Sequence, residues 1–254
     1  MAFIRNLFFG GLALFVSAAT LQAASLVFLI GEDEYKTWET LPEFAKTDLE
    51  PLGHKVTIIH ADSVDKNHFP GIVEALRGAD ALMVSVRRRT PHKEELEALQ
   101  RFVAEGKPVV GIRTASHAFA LLPKATLSDP ALAIWQEFDS AILGGNYAGH
   151  HRGEDKTSIG VAPGAEKHAI LTGLSLSELV GNGTLYKNSP LAGDSTPLLI
   201  GSIPNQPAEP VAWTHLAGPR KARVFYTSLG HPDDFKNAEF RRLLRNGFAW
   251  ALAK

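Results

Sequence analysis

The chain has 254 residues, with 26 Lys and Arg against 27 Asp and Glu, 10 His and no cysteine. A formal charge of −1 offers no basic surface for nucleic acid and no reason to bind an anionic membrane. The absence of cysteine excludes a thiolate nucleophile, a cysteine-ligated metal, a lipid-bearing cysteine and any disulfide, so the fold rests on its hydrophobic core.

Residues 1–24 read as a secretory signal peptide rather than as part of the fold. Arg5 supplies a small positive region, Leu7 to Val16 is mostly apolar, and small residues lead to Ala23 and Ala24. That apolar run is too short for a comfortable membrane span. The expectation is cleavage near Ala23, giving a secreted or periplasmic protein with no stable membrane span; the alternative is an uncleaved N-terminal anchor. Residues 25–254 then make one domain of ordinary size.

Ser25 to Gly31 (SLVFLIG) is a continuous apolar run ended by glycine, as a central parallel strand would be. The acidic, aromatic loop Glu32 to Trp38 follows, then a helix through Leu41, Phe44 and Leu49, closed by Pro51 and Gly53. Lys55–His60, Ala79–Val86 and Pro108–Ile112 are predicted strands. Between them lie helices over Gly71–Arg77 and Pro91–Glu105, the second opened by Thr90 and Pro91. Short connections between alternating strands and helices predict an α/β fold: a flavodoxin-like, doubly wound, mostly parallel sheet with helices on both faces. Ala115 to Gly145 reads as mainly helical, including Ala131 to Phe138, and a glycine-rich loop runs from Gly144 to His151. Later strands are expected at Ser158–Ala162, Leu198–Ile203, Val211–Thr214 and Val224–Leu229, with a closing helix over Asn237–Ala253.

Ligands of open α/β sheets sit beyond the carboxyl ends of the strands. Those ends carry Glu32 and Tyr35, Arg87 to Arg89, Arg113 to His117, and His231 to Asp234, while the glycine loop adds Tyr147 and His150. His231 is the candidate acid/base, with Asp233 or Asp234 to orient it. Arg113 stands at the apex of Gly111-Ile-Arg-Thr-Ala115, a tight turn from strand to helix. With His117 it could hold a carboxylate, a set of hydroxyls or a developing oxyanion. Glu32, Tyr35, Arg87, Tyr147 and His150 are the candidate binding residues. His150 is preferred to His151 because neighbours on an extended chain face opposite sides. The plainer alternatives are a surface turn at His231-Pro232-Asp233, a structural ion pair between Arg113 and an acid of the first loop, and a solvated loop at Arg87 to Arg89. No H-x-H or H-E-x-x-H spacing points to a metal. Gly144-Gly145 and Gly181-Asn-Gly183 do not join a first strand to a helix, so no dinucleotide or other cofactor is assigned.

Taken together, several stretches resemble the ThuA-like (trehalose utilisation) family, a branch of the class I glutamine amidotransferase-like superfamily. They are the opening strand with its acidic loop, Gly106-Lys-Pro-Val-Val-Gly-Ile112, Gly144-Gly145 through His150, Ser228-Leu-Gly-His-Pro232 and Phe240-Arg-Arg-Leu-Leu-Arg-Asn-Gly-Phe-Ala-Trp250. Amidotransferases of that class place a cysteine at the elbow and a His-Pro-Glu after a late strand. This chain keeps His231-Pro232 with Asp233 but has Arg113 at the elbow, where many ThuA-like members carry His, so glutamine hydrolysis is not expected. The resemblance implies an exported protein acting on a small sugar-like ligand, such as a trehalose-type disaccharide or a 3-keto-glycoside. His231 acid/base chemistry could serve enolisation, isomerisation or elimination, and Tyr35, Trp38 and Tyr147 could stack on sugar rings. The alternative is a non-catalytic carbohydrate-binding or periplasmic interaction module. Assembly into a homo-oligomer is left open.

Overall fold

The computed structural model describes residues 23–153 and 156–253, so the segment read as a signal peptide lies outside the described residues up to its last two positions. The run Ser25–Gly31 (β1) is buried from Leu26 onward, as a strand covered on both faces must be. Around it are β2 (Lys55–His60), β3 (Ala81–Val86) and β4 (Val109–Ile112), then β5 (Thr157–Val161) and β6 (Val180–Gly181), and finally β7 (Ser195–Ser202), β8 (Glu209–Ala217) and β9 (Ala222–Thr227). The helices are α1 (Thr37–Phe44), α2 (Ile72–Arg77), α3 (Lys93–Ala104) and α4 (Ala238–Leu252).

The strands form one sheet in the order β2-β1-β3-β4-β9-β8-β7-β5-β6. Every pairing from β2 across to β9 is parallel, and every pairing from β9 across to β6 is antiparallel. The sheet is therefore mixed, and the mostly parallel arrangement expected from sequence describes only its first half. The reason is connection length. β7, β8 and β9 are joined by short loops, which suit antiparallel neighbours, whereas β1 to β4 are joined through helices.

The alternation of β1 divides the core in two. Leu26, Phe28 and Ile30 pack with α1 and α4 on one face, while Val27 and Leu29 pack with α2 and α3 on the other. α4 lies close to β9 because Gly247 has no side chain; a Cβ there would come within 2.2 Å of the Phe225 ring.

Two local expectations are corrected. α3 begins at Lys93, not Pro91, because His92 caps it reciprocally: its side chain accepts from the Glu95 N–H, and the Glu95 carboxylate accepts from the His92 N–H. The segment 118–137 is irregular rather than helical, and only a 3₁₀ turn (Arg113–His117) and a π turn (Phe138–Leu143) flank it. Pro123 and Pro130 interrupt it. Arg88 satisfies the carbonyls of Ala120 and Leu121, and Phe119, Trp135 and Phe138 pack edge to face, so the backbone needs no helix there.

Candidate functional site

Beyond β1 the chain turns back on Glu32. This buried carboxylate accepts from the N–H groups of Glu34 and Tyr35 (2.6 Å each) and from the N–H and hydroxyl of Thr37 (2.8 and 2.7 Å). Its acceptor capacity is spent inside the loop, so Glu32 holds Tyr35 in place and does not bind a ligand.

Beyond β4 stands Arg113, with φ 47°, a left-handed conformation uncommon for a residue with a side chain. The tight turn expected at this position is present. The guanidinium is buried, with only 2% of the residue exposed. Nη1 donates to the carbonyls of Thr184 (3.0 Å) and Ser228 (2.7 Å), and Nη2 donates to Thr184 Oγ1 (3.1 Å) and the Tyr35 hydroxyl (3.2 Å). The cation lies 4.6 Å from the Tyr35 ring centre and 4.2 Å from that of Tyr186. Among the described residues no carboxylate pairs with it, so the structural ion pair is not what holds it. Nor does it reach a ligand itself: four of its five N–H bonds are taken by protein, and buried Nε has no partner. It acts through Tyr35, whose hydroxyl accepts from it and keeps its own proton to donate.

His117, one turn further, is buried and stacks on Tyr147 at 4.3 Å, with its Nδ1 3.2 Å from Ser116 Oγ. Burial, reinforced by Arg88, Arg87 and Arg113, lowers its pKa to about 3, so the imidazole is neutral at ordinary pH.

Beyond β9, half-buried His231 faces Tyr35 edge to face, ring centres 6.3 Å apart. Its Nδ1 accepts the Asp233 N–H at 3.2 Å, which leaves the ring proton on Nε2. Neither aspartate orients the ring in the manner expected. Asp233 is exposed; its Oδ2 is 3.6 Å from Nδ1 and its Oδ1 binds Lys236 at 2.6 Å. Asp234 is buried, and its four hydrogen bonds go to the N–H groups of Gly230 (2.7 Å), His231 (3.0 Å) and Asn182 (2.9 Å) and to Asn182 Nδ2 (2.8 Å). It fixes the backbone that carries His231, not the imidazole.

The three arginines beyond β3 part company. Arg87 is exposed and pairs with Glu34 at 2.8 Å, and Arg89 pairs with Asp33. Arg88 has φ 49° and turns inward, donating from Nη1 to the carbonyls of Ala120 (3.3 Å) and Leu121 (3.2 Å). In the glycine loop the adjacent histidines do separate. His150 is exposed, its Nδ1–H donating to the His151 carbonyl at 3.0 Å, and His151 is buried between Gln206 (2.9 Å) and Glu209 (3.1 Å).

Sequence reasoning missed Thr184, Tyr186 and Asp139. The first two lie in a stretch rich in Gly, Asn and Ser without periodicity; the only cue is Gly183, which leaves room for Arg113 where a Cβ would sit 2.5 Å from Nη2. Asp139 follows the irregular segment. Burial pushes its carboxyl pKa up to about 7 against the opposing hydrogen bond from the Tyr147 N–H to Oδ2 (2.6 Å), and its Oδ1 has no partner. Asp139, Arg88, Ser116, His117, Asn146 and Tyr147 line a cavity of about 230 Å³. Tyr147 joins this cavity to the arginine cage, since its ring is 4.7 Å from that of Tyr186. Among the described residues no three His, Asp or Glu side chains come together as a metal site, and no helix is long and apolar enough to cross a membrane.

Comparison with known proteins is consistent with this architecture. The ThuA family model, described as trehalose utilisation, matches residues 39–251. A ThuA-like protein from Parabacteroides merdae superposes with a TM-score of 0.62 at 16% identity, covering 91% of each chain. The mmIFT52 N-terminal domain superposes with a TM-score of 0.54 at 13% identity, covering 91% of this chain and 98% of that one. At such identities the likeness is one of fold. No curated protein matches by sequence.

Proposed function

This chain belongs to the ThuA family, and we propose that it is an exported protein acting on a small sugar at the carboxyl edge of its parallel strands. Arg5 and the apolar run Leu7 to Val16 support the export reading. The parallel half of the sheet supports the flavodoxin-like, doubly wound reading. The left-handed turn at Arg113 supports kinship with class I glutamine amidotransferase-like proteins. An arginine at its apex cannot supply the nucleophile that glutamine hydrolysis needs.

One observation carries the functional reading: Arg113 donates to the Tyr35 hydroxyl, and Tyr35 faces His231. Tyr35 O–H and His231 Nε2–H are then paired donors for one ligand oxygen, next to a buried positive charge. Such a pair stabilises negative charge developing on a sugar carbonyl or hydroxyl oxygen. Trehalose-type disaccharides and their 3-keto derivatives are the first ligands to test. The imidazole lone pair is already committed to the Asp233 N–H, so in this arrangement His231 offers its Nε2–H as a hydrogen-bond donor, which is narrower than the acid/base role expected from sequence. The same commitment favours a second reading, a binding site without turnover.

Affinity and turnover of wild type, Tyr35→Phe and His231→Ala on these sugars separate the two readings. An enzyme keeps near-normal affinity in His231→Ala but loses turnover by about 10²-fold or more. A binding module shows only weakened affinity. If no sugar shifts the melting temperature of the wild-type protein, the sugar reading is lost.

A further inference from the structure

The cavity beside the arginine cage has a charge that a neutral sugar would leave unused. Arg88 donates from Nη1 to two carbonyls, while its Nη2 and Nε have no protein partner among the described residues, nor does the group pair with a carboxylate there. Apart from Asp139, the other polar walls, Ser116, His117, Asn146 and Tyr147 among them, are uncharged. His117 registers the field, since Arg88, Arg87 and Arg113 all help to suppress its protonation.

We propose that this cavity takes the anionic end of a sugar-like ligand, a carboxylate or phosphate group, on the free edge of Arg88. A planar guanidinium with two unused donor positions matches such a group. Ser116, Asn146 and Tyr147 supply neutral hydrogen bonds around it. The inference rests on the sugar reading above for the remainder of the ligand, which would extend past Tyr147 towards Tyr35 and His231.

Asp139 is the acidic group in this wall. With its pKa raised to about 7 by burial, it is largely neutral in mildly acid solution and ionised in alkali, where it repels an anion. The groups around it are Arg88 and His117 in the cavity wall, Tyr147 from the glycine loop, Tyr226 from β9, and His215 of β8 behind Gly144. Tyr147 and Tyr226 hold their protons because burial raises both, and burial lowers the pKa of His215. Binding of a carboxylate sugar, whose own charge is constant in this range, should therefore weaken as pH rises through about 7.

The test is calorimetric titration of the full chain with a hexuronate, a hexose phosphate, the parent hexose, trehalose and inorganic phosphate. At mildly acid pH the anionic sugars should bind at least about tenfold tighter than the parent hexose and weaken with salt. Arg88→Gln should abolish that preference, and Arg88→Lys, which restores the charge, should recover part of it. Asp139→Asn should remove the loss of affinity in alkali. Whichever of the carboxylate and phosphate sugars binds tighter identifies the group. Neutral sugars binding as well as anionic ones, unaffected by Arg88→Gln, would overturn the inference and leave the sugar reading standing. Inorganic phosphate binding as tightly as the hexose phosphate would keep the anion cavity and overturn the sugar reading. No binding by any of the five would end both.

Discussion

Arg113 and Tyr35 form one unit: the guanidinium lies 4.6 Å from the ring centre of Tyr35 and donates to its hydroxyl at 3.2 Å. The cation is buried without a carboxylate, so its charge is held by two rings and three oxygen-bearing partners. A lysine cannot serve four acceptors from one ammonium point. Arg113→Lys is therefore expected to lower stability by about 2 kcal/mol, the effect of leaving a buried carbonyl unpaired. The urea midpoint measures this, and a midpoint unchanged from wild type would mean that the cage does not depend on the fork.

Asp234 governs the placement of His231 through backbone alone. Asparagine is nearly isosteric but turns an N–H₂ towards donors that need an acceptor, either the Gly230 and His231 N–H groups or those of Asn182. Asp234→Asn should cost about 2–3 kcal/mol and shift the His231 ring signals in an NMR spectrum. Asp233→Asn, at an exposed site, should cost under about 0.5 kcal/mol. Equal effects of the two would contradict the division of labour seen here.

Gly183 is required by space rather than by an unusual backbone angle. A methyl group there would meet Arg113 Nη2 at 2.5 Å and its Cζ at 2.7 Å. The guanidinium is fixed by four bonds and cannot yield freely. Gly183→Ala should then destabilise by about 1–3 kcal/mol and disturb the Tyr35 ring environment. Gly193→Ala, where a Cβ would have nothing within 4 Å, is the control.

The legible parts of this molecule were those with a period or an edge. β1 could be read from Ser25–Gly31 because a strand buried on both faces shows as an unbroken apolar run. Arg113, Tyr35 and His231 could be brought together because parallel strands deliver their carboxyl ends to one side. Asp139 and Tyr186 could not, since the chain before each follows irregular turns in which no spacing maps onto a direction. The roles of Asp233 and Asp234 were interchangeable in sequence, and only the facing of one turn separates an exposed partner of Lys236 from a buried clamp. Glu32 was similarly ambiguous: an acid after a strand can point to a ligand or back into its own loop, and here it does the latter.

Asp139 and His117 line one cavity and pull stability in opposite directions with pH. The Asp139 pKa rises from 3.8 in the unfolded chain to about 7 in the fold. Between those values the unfolded chain has lost a proton that the folded one keeps, so this group's contribution falls as pH rises from about 4 to about 7. The His117 pKa falls from 6.5 to about 3. Between those values the unfolded chain holds a proton that the folded one lacks, so its contribution grows as pH rises from about 3 to about 6.5. Where the windows overlap the two slopes, each about 1.4 kcal/mol per pH unit at most, largely offset one another. Single substitutions should expose them. Relative to wild type, Asp139→Asn should gain stability as pH climbs from about 4 to about 7, while His117→Phe, which retains the stack on Tyr147, should lose it from about 3 to about 6.5. Urea denaturation across this range reads both differences. Parallel curves for wild type and Asp139→Asn would show that the carboxyl titrates as an ordinary aspartate and that the cavity is wetter than its geometry indicates.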